Sequence, residues 1–402
     1  MYLYPADILL PKRRDAASMT LWATVACDQY TSQPEYWERV EKHVGDAPST
    51  LRMMLPEAFL GKEIGQAERI HRAMEEYLDK GVLELFPYCG VYVERELEGG
   101  GVRRGLVCCI DLEDYDYRPG SGAAIAATER TVVERIPPRL EIRRGATLDM
   151  PHVMMLIDDP KDEVLSRFAG RPADAYSFRL AEGGGFIKGS FVSRREIEEA
   201  DETLRRITAG RRPAIAVGDG NHSLASAKAA YAELLEKDPS AASSPARYAL
   251  CEIVNLYDPS LEFEPIYRLV RTGDPARLLR GFLDRCAERR GGEGFFFGVV
   301  AEGERFDAYM PSPGFALPVA ALQDFLDEEG EKLGVVETDY IHGREELTSL
   351  ASRPGYVGFL FDGMKKEELF GAVAKDGCLP RKTFSMGRAQ DKRYYLECRR
   401  LK

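Results

Sequence analysis

An excess of positive charge is missing from this sequence: 55 lysines and arginines stand against 66 aspartates and glutamates, a formal net charge of −11. Such a chain has no general attraction for nucleic acid or anionic lipid, so neither is expected as a partner. No stretch approaches the roughly 20 apolar residues that cross a bilayer. The opening Met1-Tyr2-Leu3-Tyr4-Pro5 lacks the basic segment and apolar run of a secretory signal. The eight cysteines show no C-x-x-C spacing, which excludes a ready-made redox or metal motif and points to a reduced interior. A cytoplasmic protein is expected. Histidine is also scarce, at five residues. His43, His71, His152 and His342 show no paired metal spacing and read as structural or surface residues. No serine or cysteine lies in a nucleophile elbow, and there are no internal repeats.

What is present is a folded, two-part chain. Its 402 residues are 44% apolar and 30% charged, a globular balance in a length that favours more than one core. The expected division is a larger α/β domain over 1–272 and a smaller α+β domain over 273–402. The start is helical, through about Val44 and again over Lys62 to Lys80, where Ile64, Ala67, Ile70, Met74 and Leu78 recur at helical spacing. Then Gly90–Glu94 and Arg104–Ile110 flank Gly99-Gly100-Gly101, a hairpin signature. Ser177–Leu180 and Phe186–Phe191 repeat it around Gly183-Gly184-Gly185, and Phe295–Val300 pairs with Phe306–Met310 across a charged turn. Hairpins among helices predict an α/β protein with a mixed sheet, not a purely alternating parallel one. Tyr394–Cys398 reads as a closing strand.

The passage richest in chemistry is the apolar strand Pro213–Val217, the turn Gly218-Asp219-Gly220-Asn221 and an alanine-rich helix from His222. A glycine turn entering a helix presents backbone N–H groups that attract phosphate or carboxylate. Gly218 and Gly220 permit the close approach, while Asp219 and His222 bring a carboxylate and an imidazole beside it. The competing reading is a plain turn in which Asn221 or Ser223 caps the helix. Neither the dinucleotide fingerprint nor the P-loop is present. Glu129, within Thr128-Glu129-Arg130-Thr131, is a second candidate as base or metal ligand, with the first turn of a capped helix as its alternative. The tail Leu379–Ser385, with Arg381 and Lys382, suits an anionic ligand.

Taken in order, these segments resemble the bacterial and archaeal family known as domain of unknown function 1015. Thr128-Glu129-Arg130-Thr131 looks like its H-E-[KR]-T motif with the histidine replaced. Asp219-Gly220-Asn221-His222-Ser223 resembles D-G-H-H-R with the first histidine and the arginine changed. Pro265-Ile266-Tyr267-Arg268 is similar to P-x-H-R, and Leu379-Pro380-Arg381-Lys382-Thr383 to M-P-x-K-S-T. The element Ala216–Ala227 also resembles, more loosely, the phosphate-holding element of the ParB and sulfiredoxin group, which includes nucleotide-binding proteins and free-serine kinases. The family supplies no reaction; on their chemistry, Glu129, Asp219 and His222 are the expected catalytic residues. Gly218, Gly220, Asn221, Ser223, Arg268 and Lys382 are the expected phosphate contacts. The expected partner is a small anion or nucleotide, with magnesium as a candidate companion. The expected activity is phosphoryl transfer or hydrolysis, and the alternative is a non-catalytic nucleotide- or anion-binding regulatory module.

Overall fold

The computed structural model describes residues 1–60, 65–150, 152–288, 293–312 and 314–402. It is a mixed α/β protein divided into two compact units. The first contains residues 1–127, 131–261 and 388–402; the second contains 128–130 and 262–387. Strand Phe263–Thr272 pairs with Val335–His342 and Tyr356–Leu360. It therefore belongs to the second unit, ten residues ahead of the expected division.

The first unit is built on a ten-stranded sheet. In spatial order its strands are Tyr115–Asp116, Ile125–Ala127, Ile215–Asp219, Met154–Ile157, Tyr248–Asn255, Val102–Asp111, Leu83–Glu96, Phe186–Ser193 and Tyr176–Arg179. Ala6–Pro11 also pairs with Leu83–Glu96. The hairpins flanking the two glycine triplets are antiparallel as expected. Ile215–Asp219 runs parallel to Ile125–Ala127 and antiparallel to Met154–Ile157. Consecutive side chains of a strand point to opposite faces, and here both faces are covered. Val107 and Cys109 join one core with Trp22, Trp37 and Val91, while Leu106, Cys108 and Ile110 join another with Ile215, Val217 and Ile253. That double burial explains the unbroken apolar runs in these strands.

The second unit has a sheet in the order Glu304–Pro311, Gly294–Ala301, Tyr356–Leu360, Phe263–Thr272 and Val335–His342, with Phe384–Met386 added to Phe263–Thr272. All these pairs are antiparallel. Phe282 packs its ring against Phe297, Phe325 and Phe359, with centroids 5.0–5.8 Å apart. The expected helix over Lys62–Lys80 is described as Gln66–Asp79; residues 62–64 lie outside the described part. The expected closing strand is two short ones, Tyr394–Tyr395 and Arg399–Arg400, paired to Thr24–Val25 and Leu148–Asp149 respectively. No helix among the described residues is long and apolar enough to cross a membrane. All eight cysteines are free thiols.

A buried ionic cluster anchors the returning tail within the first unit. Arg393 is paired with Glu252 Oε2 at 2.6 Å and Glu397 Oε2 at 2.5 Å, and its side chain is 2% exposed. Tyr176 donates its hydroxyl to Glu397, and Arg103 lies 3.9 Å from Glu252. Gly105 makes room: a Cβ there would stand 2.3 Å from Glu252 Oε1. Burial pushes the Glu252 carboxyl up, but Arg393 and Arg103 outweigh it and hold it below its ordinary 4.5. Burial alone would likewise pull the Arg393 guanidinium down, yet Glu397 and Glu252 raise it.

Removing one member of such a cluster strands the other charges, so Arg393→Met is expected to cost about 3–5 kcal/mol in urea unfolding. Because the Glu252 pKa is depressed in the fold, its contribution is complete above the unfolded value and is lost as pH falls through the folded one. Wild-type stability should therefore decline below about pH 4.5. Arg393→Met should lose the part of that decline that belongs to Glu252, measured as urea midpoints at several pH values.

Candidate functional site

Strand Ile215–Asp219 delivers the glycine turn to the surface. Ile215, Ala216 and Val217 are fully buried, residues 218–223 are partly exposed, and Leu224 to Ala227 are buried again. The turn is thus open at its tip and anchored on both sides. Gly220, in the left-handed region at φ +83, is the N-cap of the 17-residue helix Asn221–Lys237. The capping alternative fails here: Gly220 has no side chain, the N-cap makes no side-chain hydrogen bond, and the first turn carries no acidic residue. A helix start of this kind keeps its positive end available to an anion.

Charge and hydrogen bonding refine the turn. Asp219 Oδ1 accepts the Gly220 N–H at 3.0 Å, and its Oδ2 lies 3.4 Å from Lys392 Nζ. A lysine from the returning tail thereby adds a cation beside the helix start. His222 Nε2 accepts the backbone N–H of Val132 at 3.1 Å, so its proton rests on Nδ1 in the neutral ring and any transfer would run through that atom. Asn221 Oδ1 is buried without a hydrogen-bond partner among the described residues. An amide can turn either its oxygen or its nitrogen to that point, so a ligand donor or a phosphate oxygen would satisfy it.

His152 completes the arrangement. Its Nδ1 is 2.7 Å from the Tyr395 hydroxyl and its Nε2 is 3.4 Å from Ser223 Oγ and 4.0 Å from Asp28 Oδ1. With Nδ1 protonated toward Tyr395, the Nε2 lone pair faces Ser223. Burial pushes the Asp28 carboxyl up, but His152, the Gln29 amide and Lys392 together hold it below the ordinary carboxylate range. Burial, reinforced by Asp28, raises the Cys27 thiol to about 11, so it stays protonated at neutral pH. A Cβ on Gly220 would lie 3.1 Å from Val153 and 3.5 Å from His152, which makes the glycine a spacer as well as a turn. Sequence reasoning set His152 aside as structural and passed over Asp28, Tyr395 and Lys392. None of them has a local pattern that marks it.

The remaining candidates belong to the second unit. Glu129 bridges to Leu379 as a β-pair, and its Oε1 accepts the Thr383 N–H at 3.1 Å. It lies in no helix: a single 3-10 turn over Val133–Arg135 and then the α-helix Ile136–Gly145 follow it. Arg268, expected at phosphate, is fully buried and directs four hydrogen bonds to Gln323 Oε1 and the carbonyls of Ile266, Lys382 and Arg381. Burial lowers its pKa to about 10, and the ring of Tyr340 lies 4.6 Å from its guanidinium carbon. Lys382, with φ +54, places Nζ 5.3 Å from the same ring. The structure thus gathers Asp219 to Ser223 with His152 and Lys392 in one unit, and Glu129, Arg268 and Lys382 around the 379–383 loop in the other. Three arginines of the helix Ile136–Gly145 are paired with carboxylates: Arg143 to Asp149, Arg144 to Glu233 and Arg139 to Glu57. No group of three or more His, Cys, Asp or Glu side chains suited to a metal occurs among the described residues.

The chain belongs to the family described as protein of unknown function (DUF1015), whose model matches residues 9–344. No protein of curated function matches it. Among solved structures it is similar to a free serine kinase variant in complex with ADP, at 12% identity and TM-score 0.40, covering 75% of this chain and 94% of that one. A conserved hypothetical protein from Pyrococcus furiosus shares 12% identity at TM-score 0.35, over 70% and 90% of the two chains. SbnI from Staphylococcus aureus shares 9% at TM-score 0.36, over 70% and 82%. Similarity at this level carries no inference about chemistry.

Gly220→Ala tests the turn. The left-handed backbone alone costs an alanine about 1–2 kcal/mol, and the contact with Val153 adds to it. Gly210→Ala, at φ +75 with nothing within 4 Å, carries the backbone cost only. Denaturation should therefore show a larger loss for Gly220→Ala, and the His152 imidazole NMR signals should move in that variant alone.

Proposed function

We propose that this protein is an enzyme acting on a phosphorylated small molecule or nucleotide, transferring or hydrolysing a phosphoryl group at the 218–223 turn. The observation that carries the reading is the uncapped helix start at Gly220, partly exposed and flanked by Lys392. Backbone N–H groups aimed along a helix axis and a nearby ammonium both stabilise phosphate charge, and phosphoryl transfer relies mainly on such positioning and electrostatic stabilisation. Gly218, Gly220, Asn221 and Ser223 form the cradle in this reading, Asp219 orients Lys392, and His152 and His222 hold protons at its edge. Glu129, Arg268 and Lys382 remain proposed contributors; for Arg268 the buried hydrogen bonds favour shaping the 379–383 loop over touching ligand. Magnesium carried on nucleotide phosphates needs only one or two protein carboxylates, and Asp219 supplies one at the turn. The local resemblance of residues 216–227 to the ParB and sulfiredoxin phosphate-holding element is in keeping with this reading.

A second reading is a non-catalytic nucleotide- or anion-binding module. What favours it is the engagement of His222 Nε2 by a backbone N–H, together with Thr128, Asn221 and Tyr267 at positions where the family motifs carry histidine. Binding that saturates without any product identifies that case.

Nucleoside di- and triphosphates, with and without magnesium, are expected to raise the melting temperature by a few degrees through preferential binding to the folded state. The double variant Asp219→Ala, His222→Ala should lose the shift, and Lys392→Ala should reduce it. A wild-type protein whose melting temperature moves no more than that of the double variant with every nucleotide would remove the phosphate reading.

A further inference from the structure

Directly below the turn the same helix faces a second environment. Ser223, Leu224 and Ala227 line a cavity of ≈ 140 Å³ in the first unit. Much of its wall is methionine: Met53, Met54, Met74 and Met150, side chains whose flexibility lets them close around apolar groups of varied shape. The lining also carries His152, Tyr395 and Cys27 and the ion pairs Arg139–Glu57 and Arg143–Asp149. In that lining, Arg143 Nη2 is buried without a hydrogen-bond partner among the described residues, although Asp149 engages Nη1. An apolar space of roughly 150 Å³ is enough for a benzene-sized molecule. The apolar part of the lining favours a hydrocarbon ring or branched chain, and both lining arginines are already paired with carboxylates, Arg139 with Glu57 and Arg143 with Asp149.

Ser223 and His152 belong to both places. They line the cavity, and His152 also borders Gly220 at the turn. A molecule with its apolar part among the methionines would bring a polar end up against Ser223 Oγ and His152 Nε2. We infer that this cavity seats the ring-sized apolar part of an alcohol substrate, whose hydroxyl lies against the Ser223–His152 pair and serves as phosphoryl acceptor. The inference rests on the phosphoryl-transfer reading of the turn. In the reaction the alcohol O–H bond breaks and its proton passes to His152 Nε2. The alcohol oxygen bonds to the terminal phosphorus of a nucleoside polyphosphate. The bond from that phosphorus to its bridging oxygen breaks, and the oxygen leaves with the electron pair on the shortened nucleotide. Tyr395, 2.7 Å from Nδ1, keeps the imidazole turned so that Nε2 is the receiving atom.

Benzyl alcohol and inorganic phosphate are the probes, titrated separately into wild type and Ala227→Leu by calorimetry, with the His152 imidazole NMR signals followed in parallel. Benzyl alcohol should saturate the wild type, move the His152 signals and bind Ala227→Leu at least roughly tenfold more weakly because the added side chain fills the space. Phosphate should bind both proteins alike. Should Ala227→Leu not fold, Met150→Ala widens the same space and should shift preference from benzyl alcohol to the bulkier naphthylmethanol. Absence of saturation by benzyl alcohol, or equal affinity in wild type and the filled or widened variant, overturns the cavity assignment while leaving a phosphate-binding turn intact. Benzyl alcohol bound as expected but no melting-temperature shift with any nucleotide overturns the acceptor role by removing the phosphoryl reading beneath it.

Discussion

Arg393 holds two carboxylates in the interior of the first unit, and the arrangement of the turn depends on that contact. Glu252 belongs to a central strand of the large sheet, whereas Glu397 and Arg393 belong to the returning tail. Buried charges are tolerable only when each finds an opposite one close by. Once they do, the tail has a single place on the sheet. The residues beside Arg393 inherit that placement: Lys392 beside Asp219, and Tyr395 against His152. Arg95 extends the same control, donating to the carbonyls of Asp391 and Lys392 from a fully buried position. The polar chemistry near the turn is therefore set by an ionic contact that takes no part in it.

What could be read from the sequence is local, and what could not be read is remote. The glycine triplets announced their hairpins because a tight turn and its two strands lie within a few residues. The strand, turn and helix over 213–237 were legible for the same reason. By contrast, the parallel pairing of Ile215–Asp219 with Ile125–Ala127 has no adjoining turn to betray it. Glu129 shows the limit from the other side. Its neighbours suit the first turn of a helix, yet it forms a bridge to Leu379, some 250 positions later, an interaction no local window contains. His152, Asp28, Tyr395 and Lys392 come from three separated segments, and pairing of distant strands, not spacing, brings them to one side of the turn. Arg268 was singled out by the segment Pro265–Arg268, and only the fold shows that its guanidinium is buried and donates to Gln323 and to the carbonyls of Ile266, Arg381 and Lys382.

The turn itself joins two kinds of environment. On its open side it offers amides and an ammonium suited to dense negative charge. On its inner side, through Ser223 and His152, it leads to a space walled by methionine. In the proposed reaction the two sides take different molecules, the phosphates of the nucleotide on the open side and the apolar part of the alcohol on the inner one. Neither half alone would explain why the polar side chains converge where they do. The open side explains Lys392 and the glycine; the inner side explains why His152 is buried and why its ring is steadied by a tyrosine.

One consequence of the interrupted first unit concerns how the molecule comes into being. Residues 262–387, which make up most of the second unit, are synthesised before residues 388–402, which complete the first. On the ribosome the large sheet must wait through that whole interval with Glu252 lacking its guanidinium partner. Lys392 and Tyr395 arrive only at the end of the wait. Any nascent chain halted within the interval would carry the glycine turn without Lys392 beside Asp219 and without Tyr395 behind His152.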